Sequence, residues 1–262
     1  MTPHRFVRPL LAAALASAVL TPIAHADDLV ARGSDSTIHI VKDLAAAFAA
    51  ETGHQIKVEG GGSGKGAAAA LAGEVPLAFM SREATADEKA GGLVTTPYAL
   101  DGIAVIVNPQ NPVEDLSVDQ LKAIFTGDTT TWPDGKPVMP FNRNEDSGTR
   151  KAFQELVLKD AKFSDKAAVK HDGILVDSVS KVPSSVAFTS VAEATSSVKT
   201  VSVNHVKPTP QTVKDKSYPL SRTLVLATKG APSADAKAFI DFAIGPKGQA
   251  VVAKANAVPV SK

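Results

Sequence analysis

The 262-residue sequence contains no cysteine, which removes a disulfide framework and any acceptor for an N-terminal lipid. It has no charge excess of either sign: 28 Lys and Arg stand against 27 Asp and Glu. Such a balance argues against nucleic acid or an anionic membrane as partner, since both select a strongly basic surface. Histidine is sparse as well. Beyond residue 26 only His39, His54, His171 and His205 remain, scattered singly, and without cysteine or a paired His/carboxylate spacing no zinc site is supported. No metal or other cofactor is expected. The apolar run Leu10 to Leu20 is shorter than the roughly 20 residues that a membrane-spanning helix needs. It follows Arg5 and Arg8 and ends at Ala24-His25-Ala26, the pattern of a cleaved secretory signal peptide over residues 1–26. Its removal leaves 236 residues with a net charge of −1. A soluble periplasmic protein, and not a lipoprotein, is the expectation.

What the chain does have is three short turns of one kind. Arg143-Asn144-Glu145-Asp146-Ser147-Gly148-Thr149-Arg150 precedes Ala152, Phe153, Leu156 and Val157 at helical spacing, so Ser147 or Thr149 stands at a helix start. The first N–H groups of a helix have no internal partner and lie at the positive end of its dipole, which suits an oxyanion. Taken alone, such a turn is an ordinary helix cap with Arg143 a solvated charge. The chain repeats the arrangement twice. Gly33-Ser34-Asp35-Ser36-Thr37 leads into a helix with Ile40, Val41, Leu44, Ala47 and Phe48 on one face, ended by Gly53. Gly60-Gly61-Gly62-Ser63-Gly64-Lys65-Gly66 follows the strand-like Ile56-Lys57-Val58 and opens the alanine-rich helix at 67–72. Three such N-termini meeting at one point would hold a small multivalent anion.

Two catalytic motifs come close and fail. A nucleotide-binding P-loop needs Gly, four residues, then Gly-Lys-Ser/Thr; here Glu59 holds the first position and Gly66 the last. The Gly-x-Ser-x-Gly elbow of serine hydrolases fails at Lys65, two residues after Ser63. With no activated nucleophile or metal set, a phosphoesterase is disfavoured, and the expected protein is not an enzyme. Helical and strand patterns alternate, the signature of an α/β fold. Strands are expected at 75–80, 102–107, 138–141 and 221–228. Helices are expected after the capping box Ser117 to Gln120 and after Ser233, with a short one over 248–255. Residues 178–197, rich in Ser, Val and Ala, carry no clear pattern.

Taken in order, these residues resemble the periplasmic phosphate-binding proteins of ABC transporters. The resemblance rests on Gly33-Ser34-Asp35-Ser36, Glu51-Thr52-Gly53 leading to the 60–64 loop, Asp101-Gly102-Ile103-Ala104-Val105, and Leu121 to Gly127 with Trp132. Ser147-Gly148-Thr149-Arg150, Tyr218-Pro219-Leu220-Ser221-Arg222 and Phe239-Ile240-Asp241-Phe242 complete it. It implies the two-lobed type II fold, each lobe a mixed sheet flanked by helices, with the ligand in the cleft between. Residues 27–100 and 216–262 would form lobe 1, and residues 101–215 lobe 2. The resemblance places phosphate on Asp35, Ser36, Ser63, Ser81, Arg143, Ser147, Gly148 and Thr149, with Glu145 pairing Arg143. It implies a monomer that delivers phosphate to a transmembrane permease. One position departs from the family pattern. Where some members use an Asp to accept the proton of hydrogen phosphate and so reject sulfate, this chain has Ser81 followed by Arg82. Asp35 could take over that role, or could simply cap its own helix. A receptor for sulfate or another oxyanion, or an exported adhesion or signalling protein on the same fold, are the alternatives.

Overall fold

Alternation of apolar runs with glycine-stopped helices carries through to the computed structural model, which describes residues 29–170 and 172–260. The signal-peptide reading and His171 lie outside the described residues. In chain order the elements are β1 (Leu29–Gly33), α1 (Ile38–Thr52), β2 (Ile56–Glu59), α2 (Ser63–Ala72), β3 (Leu77–Met80), α3 (Ala86–Ala90), β4 (Leu93–Val107), β5 (Asp115–Leu116) and α4 (Val118–Thr126). There follow β6 (Met139–Asn142), α5 (Gly148–Phe153), β7 (Ala168–Val169), α6 (Asp172–Lys181), β8 (Ser185–Ser190) and β9 (Lys199–Val203). The last are α7 (Pro210–Lys214), β10 (Ser221–Lys229), α8 (Ala234–Ile244), α9 (Pro246–Lys254) and β11 (Val258–Pro259). Gly53 ends α1 in the left-handed conformation, and the box of Ser117 and Gln120 caps α4, both as the sequence indicates.

The strands form two sheet halves that share β4. Its residues 93–102 pair antiparallel with β10, which pairs with β3, and β1 lies parallel between β3 and β2. From Ile103 onward β4 pairs instead with β8 and β9, while β6 runs parallel to β8. The partners therefore change between Gly102 and Ile103. A Cβ on Gly102 would come within 2.9 Å of methyl groups of both Val191 and Val213, so the crossing point has room only for glycine. Just beyond it, the buried Tyr218 hydroxyl donates to the Ile103 carbonyl at 2.8 Å.

Each half is covered on both faces, which makes its central strands apolar throughout rather than alternating. In the first half, α1, α8 and α9 cover one face with Ile40, Leu44, Phe48, Phe239 and Val252. Helix α2 covers the other with Ala67 and Ala70. In the second half, α4 and α5 pack on one face around Phe125, Phe153, Phe163 and Phe188, with the Phe153 and Phe188 rings stacked 4.1 Å apart. Leu175 and Val179 of α6 cover the opposite face. Strand β8, which lies in the stretch without a readable pattern, is buried at all six positions.

Candidate functional site

The three hydroxyl-rich turns meet where the two sheet halves face one another. Each follows a strand and opens a helix: β1 delivers Ser34 to Ser36, β2 delivers the glycine loop to α2, and β6 delivers Arg143 and the turn before α5. Ser34, Ser36, Ser63, Ser81, Arg143, Ser147 and Thr149 are all at most 3% exposed. The hydroxyls of Thr149, Ser36, Ser34, Ser81 and Ser63 form a continuous row. Thr149 and Ser36 lie 2.5 Å apart, Ser36 and Ser34 3.1 Å, Ser34 donates to Ser81 at 2.9 Å, and Ser81 and Ser63 lie 3.4 Å apart. The Ser81 N–H also donates to the Ser63 hydroxyl at 3.1 Å. Gly148 completes the set for a steric reason. A Cβ there would fall 2.2 Å from the Ser63 oxygen and 2.6 Å from that of Ser81, so glycine alone lets α5 approach the row.

Capping accounts for only one of the three turns. Ser147 does cap α5, accepting the Arg150 N–H at 3.2 Å. The short 3-10 turn after Ser34, and α1 and α2, have no side-chain cap; their serines face sideways, toward the other turns. Asp35 is not a cap of its own helix either. Its carboxylate accepts the Gly61 N–H at 2.7 Å and so ties the first turn to the glycine loop. The glycine loop is tied in turn to the third, since the Gly64 N–H donates to the Asp146 carbonyl at 3.0 Å.

Charge in the site is arranged around two buried arginines. Burial lowers the pKa of Arg143 to about 10, opposed by the nearby carboxylates of Glu193 and Asp35 and reinforced by Arg222. It stays charged at neutral pH, as an anion site requires. Arg222, on β10, donates from Nε and Nη2 to Asp101 at 2.9 and 2.6 Å. Its Nη1 donates to the Thr149 hydroxyl at 2.8 Å and to the Ser81 carbonyl at 3.2 Å. Arg82, beside Ser81, faces away from the row and pairs with Glu88 through two bonds of 2.7 Å. Burial would raise the Glu88 carboxyl, but Arg82 takes it below its ordinary value. Glu145 is exposed, whereas Glu193, which carries no motif, is a half-buried carboxylate acting on Arg143. Burial lifts the Glu193 carboxyl to about 7, against the hydrogen bond it accepts from Thr189 at 2.9 Å and the field of Arg143.

A row of amphoteric hydroxyls, helix N-termini and a buried guanidinium can surround a small oxyanion with donors. Known proteins carry the same fold. Residues 20–247 match the family model described as a PBP superfamily domain. The phosphate-binding protein PstS of Bacillus subtilis is 31% identical over 196 residues, covering 71% of this chain and 65% of that protein. That of Staphylococcus haemolyticus is 30% identical over 243 residues, covering 83% and 76%. A Clostridium perfringens structure with bound phosphate, described as a phosphate ABC transporter substrate-binding protein, superposes with a TM-score of 0.86 at 31% identity. It covers 90% of this chain and 100% of that one. The chain belongs to the PBP superfamily, among its phosphate-binding proteins. The PBP fold accounts for the two sheet halves as the two lobes and for the site between them. All eight residues expected from sequence lie on the three turns or at the end of β3. Ser34, Asp101, Arg222 and Glu193 were not among them. The first three sit in motifs that carried the resemblance, and pairing Asp101 with Arg222 needed the register of β4 and β10.

Proposed function

We propose that this protein binds inorganic phosphate between its lobes and hands it to the membrane permease of an ABC transporter. It acts as a monomer, exported to the periplasm after cleavage of a signal peptide at residues 1–26. The observation that carries this reading is the meeting of three strand-turn-helix units on one buried row of hydroxyls beside Arg143. Lobe 1 comprises residues 27–100 and 216–262 and lobe 2 residues 101–215, the division falling next to the partner change in β4.

Phosphate would accept from the hydroxyls of Ser36, Ser63, Ser147 and Thr149, from the main chain at Asp35 and Gly148, and from the Arg143 guanidinium. Ser81 takes the proton-acceptor role. The Asp35 carboxylate already accepts from Gly61, so it serves better as the clamp between two turns. Arg143→Ala leaves the turns in place and removes their main cation. Calorimetry is expected to show loss of phosphate binding while circular dichroism remains that of the folded chain; unaltered affinity would refute the site assignment.

One observation favours a broader selectivity. Among the described residues no carboxylate hydrogen-bonds to the hydroxyl row, and Arg82 is committed to Glu88. A hydroxyl does not repel fully ionised sulfate as a carboxylate does, so sulfate is the competing ligand to test.

A further inference from the structure

Arg222 belongs to neither the three turns nor the expected ligand set, yet it bonds Asp101, Ser81 and Thr149 together. Its position follows from strand register: Arg222 lies opposite Asp101 across β10 and β4, next to the point where β4 changes sheets. Both side chains are almost fully buried, 3% and 0% exposed. Asp101 is itself fixed from β8, where the Ser190 hydroxyl donates to its other oxygen at 3.0 Å. The guanidinium is thus held flat by Asp101, and Nη1 is left to reach outward. That nitrogen bridges the two lobes, donating to the Ser81 carbonyl at the end of β3 and to the Thr149 hydroxyl at the start of α5.

The bond to Thr149 has a chemical consequence. A guanidinium can only donate. The Thr149 oxygen must therefore accept from Arg222, and its single hydrogen cannot point at that nitrogen; it is left for the other side of the oxygen, where Ser36 lies. A free hydroxyl can turn its hydrogen in any direction; this one has one direction closed off by Arg222, which biases it toward donating into the row. The same bond runs between the lobes, because Arg222 and Thr149 sit on opposite sides of the partner change in β4.

We propose that the Asp101–Arg222 pair is a positioning latch that orients the Thr149 hydroxyl toward phosphate and rewards lobe closure with one charge-assisted bond. The inference rests on phosphate being the ligand. Arg222→Lys keeps a buried positive charge opposite Asp101 but cannot span Asp101 and Thr149 together. The test is a double-mutant cycle on the full chain: wild type, Arg222→Lys, Thr149→Val and the double variant, titrated with inorganic phosphate by calorimetry. Loss of a hydrogen bond from a charged donor corresponds to a weakening of about tenfold or more for each single variant. If Arg222 acts through Thr149, the double variant stays within about threefold of Thr149→Val alone. Multiplying losses, or an Arg222→Lys affinity equal to wild type, would overturn the latch while leaving phosphate binding standing. Absence of phosphate binding by the wild type would overturn both. Should Arg222→Lys not fold, judged by circular dichroism, the paired change Arg222→Met with Asp101→Leu removes both buried charges at once. It enters the same cycle against Thr149→Val with the same expected and contrary results.

Discussion

At the scale of single residues, Glu193 shows how burial and charge compete. Its carboxyl is lifted from the usual 4.5 to about 7 chiefly by burial. The folded chain therefore keeps a proton there that the unfolded chain has already released between those two values. A group that binds more protons when folded makes stability fall as pH rises through that window, with a level cost above it. Glu193→Gln has no charge to desolvate and can still accept from Thr189. It should match the wild type near pH 4.5 and exceed it by about 1 to 3 kcal/mol at pH 8. Thermal midpoints measured across that range check this; a gap that does not widen with pH would contradict it. Nothing in the sequence marks Glu193, because apart from Thr189 its environment is made by burial and by Arg143, Arg222 and Asp101, all remote in sequence. The placement of Ser36, Ser63, Ser147 and Thr149 on turns that open helices is legible for the opposite reason. Each lies in a turn whose local chemistry, hydroxyl beside glycine before an amphipathic helix, is complete within a few residues.

At the scale of elements, legibility followed burial pattern. Helices α1, α4 and α8 have one buried face, a glycine stop or a capping serine, and were readable to within a few residues. The sequence pattern marks strand β4 only over 102–107, but it runs from Leu93, since its first half mixes exposed Val94 and Pro97 and half-buried threonines with buried residues. Strand β8 was not readable at all. With both faces covered, Ser185–Ser190 has no alternation, and its serines and threonine satisfy their hydroxyls inside the protein. The crossing of β4 between lobes makes a specific demand on Gly102. A methyl group there must displace Val191 and Val213. Gly102→Ala is expected to lower unfolding stability by about 1 to 3 kcal/mol, as overpacking does. Urea titration should show an earlier midpoint with an unchanged slope; full stability would mean that the crossing is less tightly packed than described.

At the scale of the whole molecule, the site exists only in the folded chain. Ser36 and Thr149 are 113 residues apart, and Arg222 and Asp101 are 121 apart. Two lobes, each with its own pair of apolar cores, are needed to bring those groups together. Sequence patterns gave the α/β class and the turns, but a shared point for them required the pairing of strands distant in the chain. Lobes joined through a shared β-strand and the Arg222 bridge suit closure around a ligand by bending at the crossing strands. The measurement that bears most directly on this account is a calorimetric titration of the wild-type chain with inorganic phosphate near pH 7.5, repeated with sulfate as competitor. The account expects one phosphate bound per chain with a dissociation constant of about 1 μM or tighter. No saturable phosphate binding would contradict it, as would a site that sulfate fills while phosphate does not.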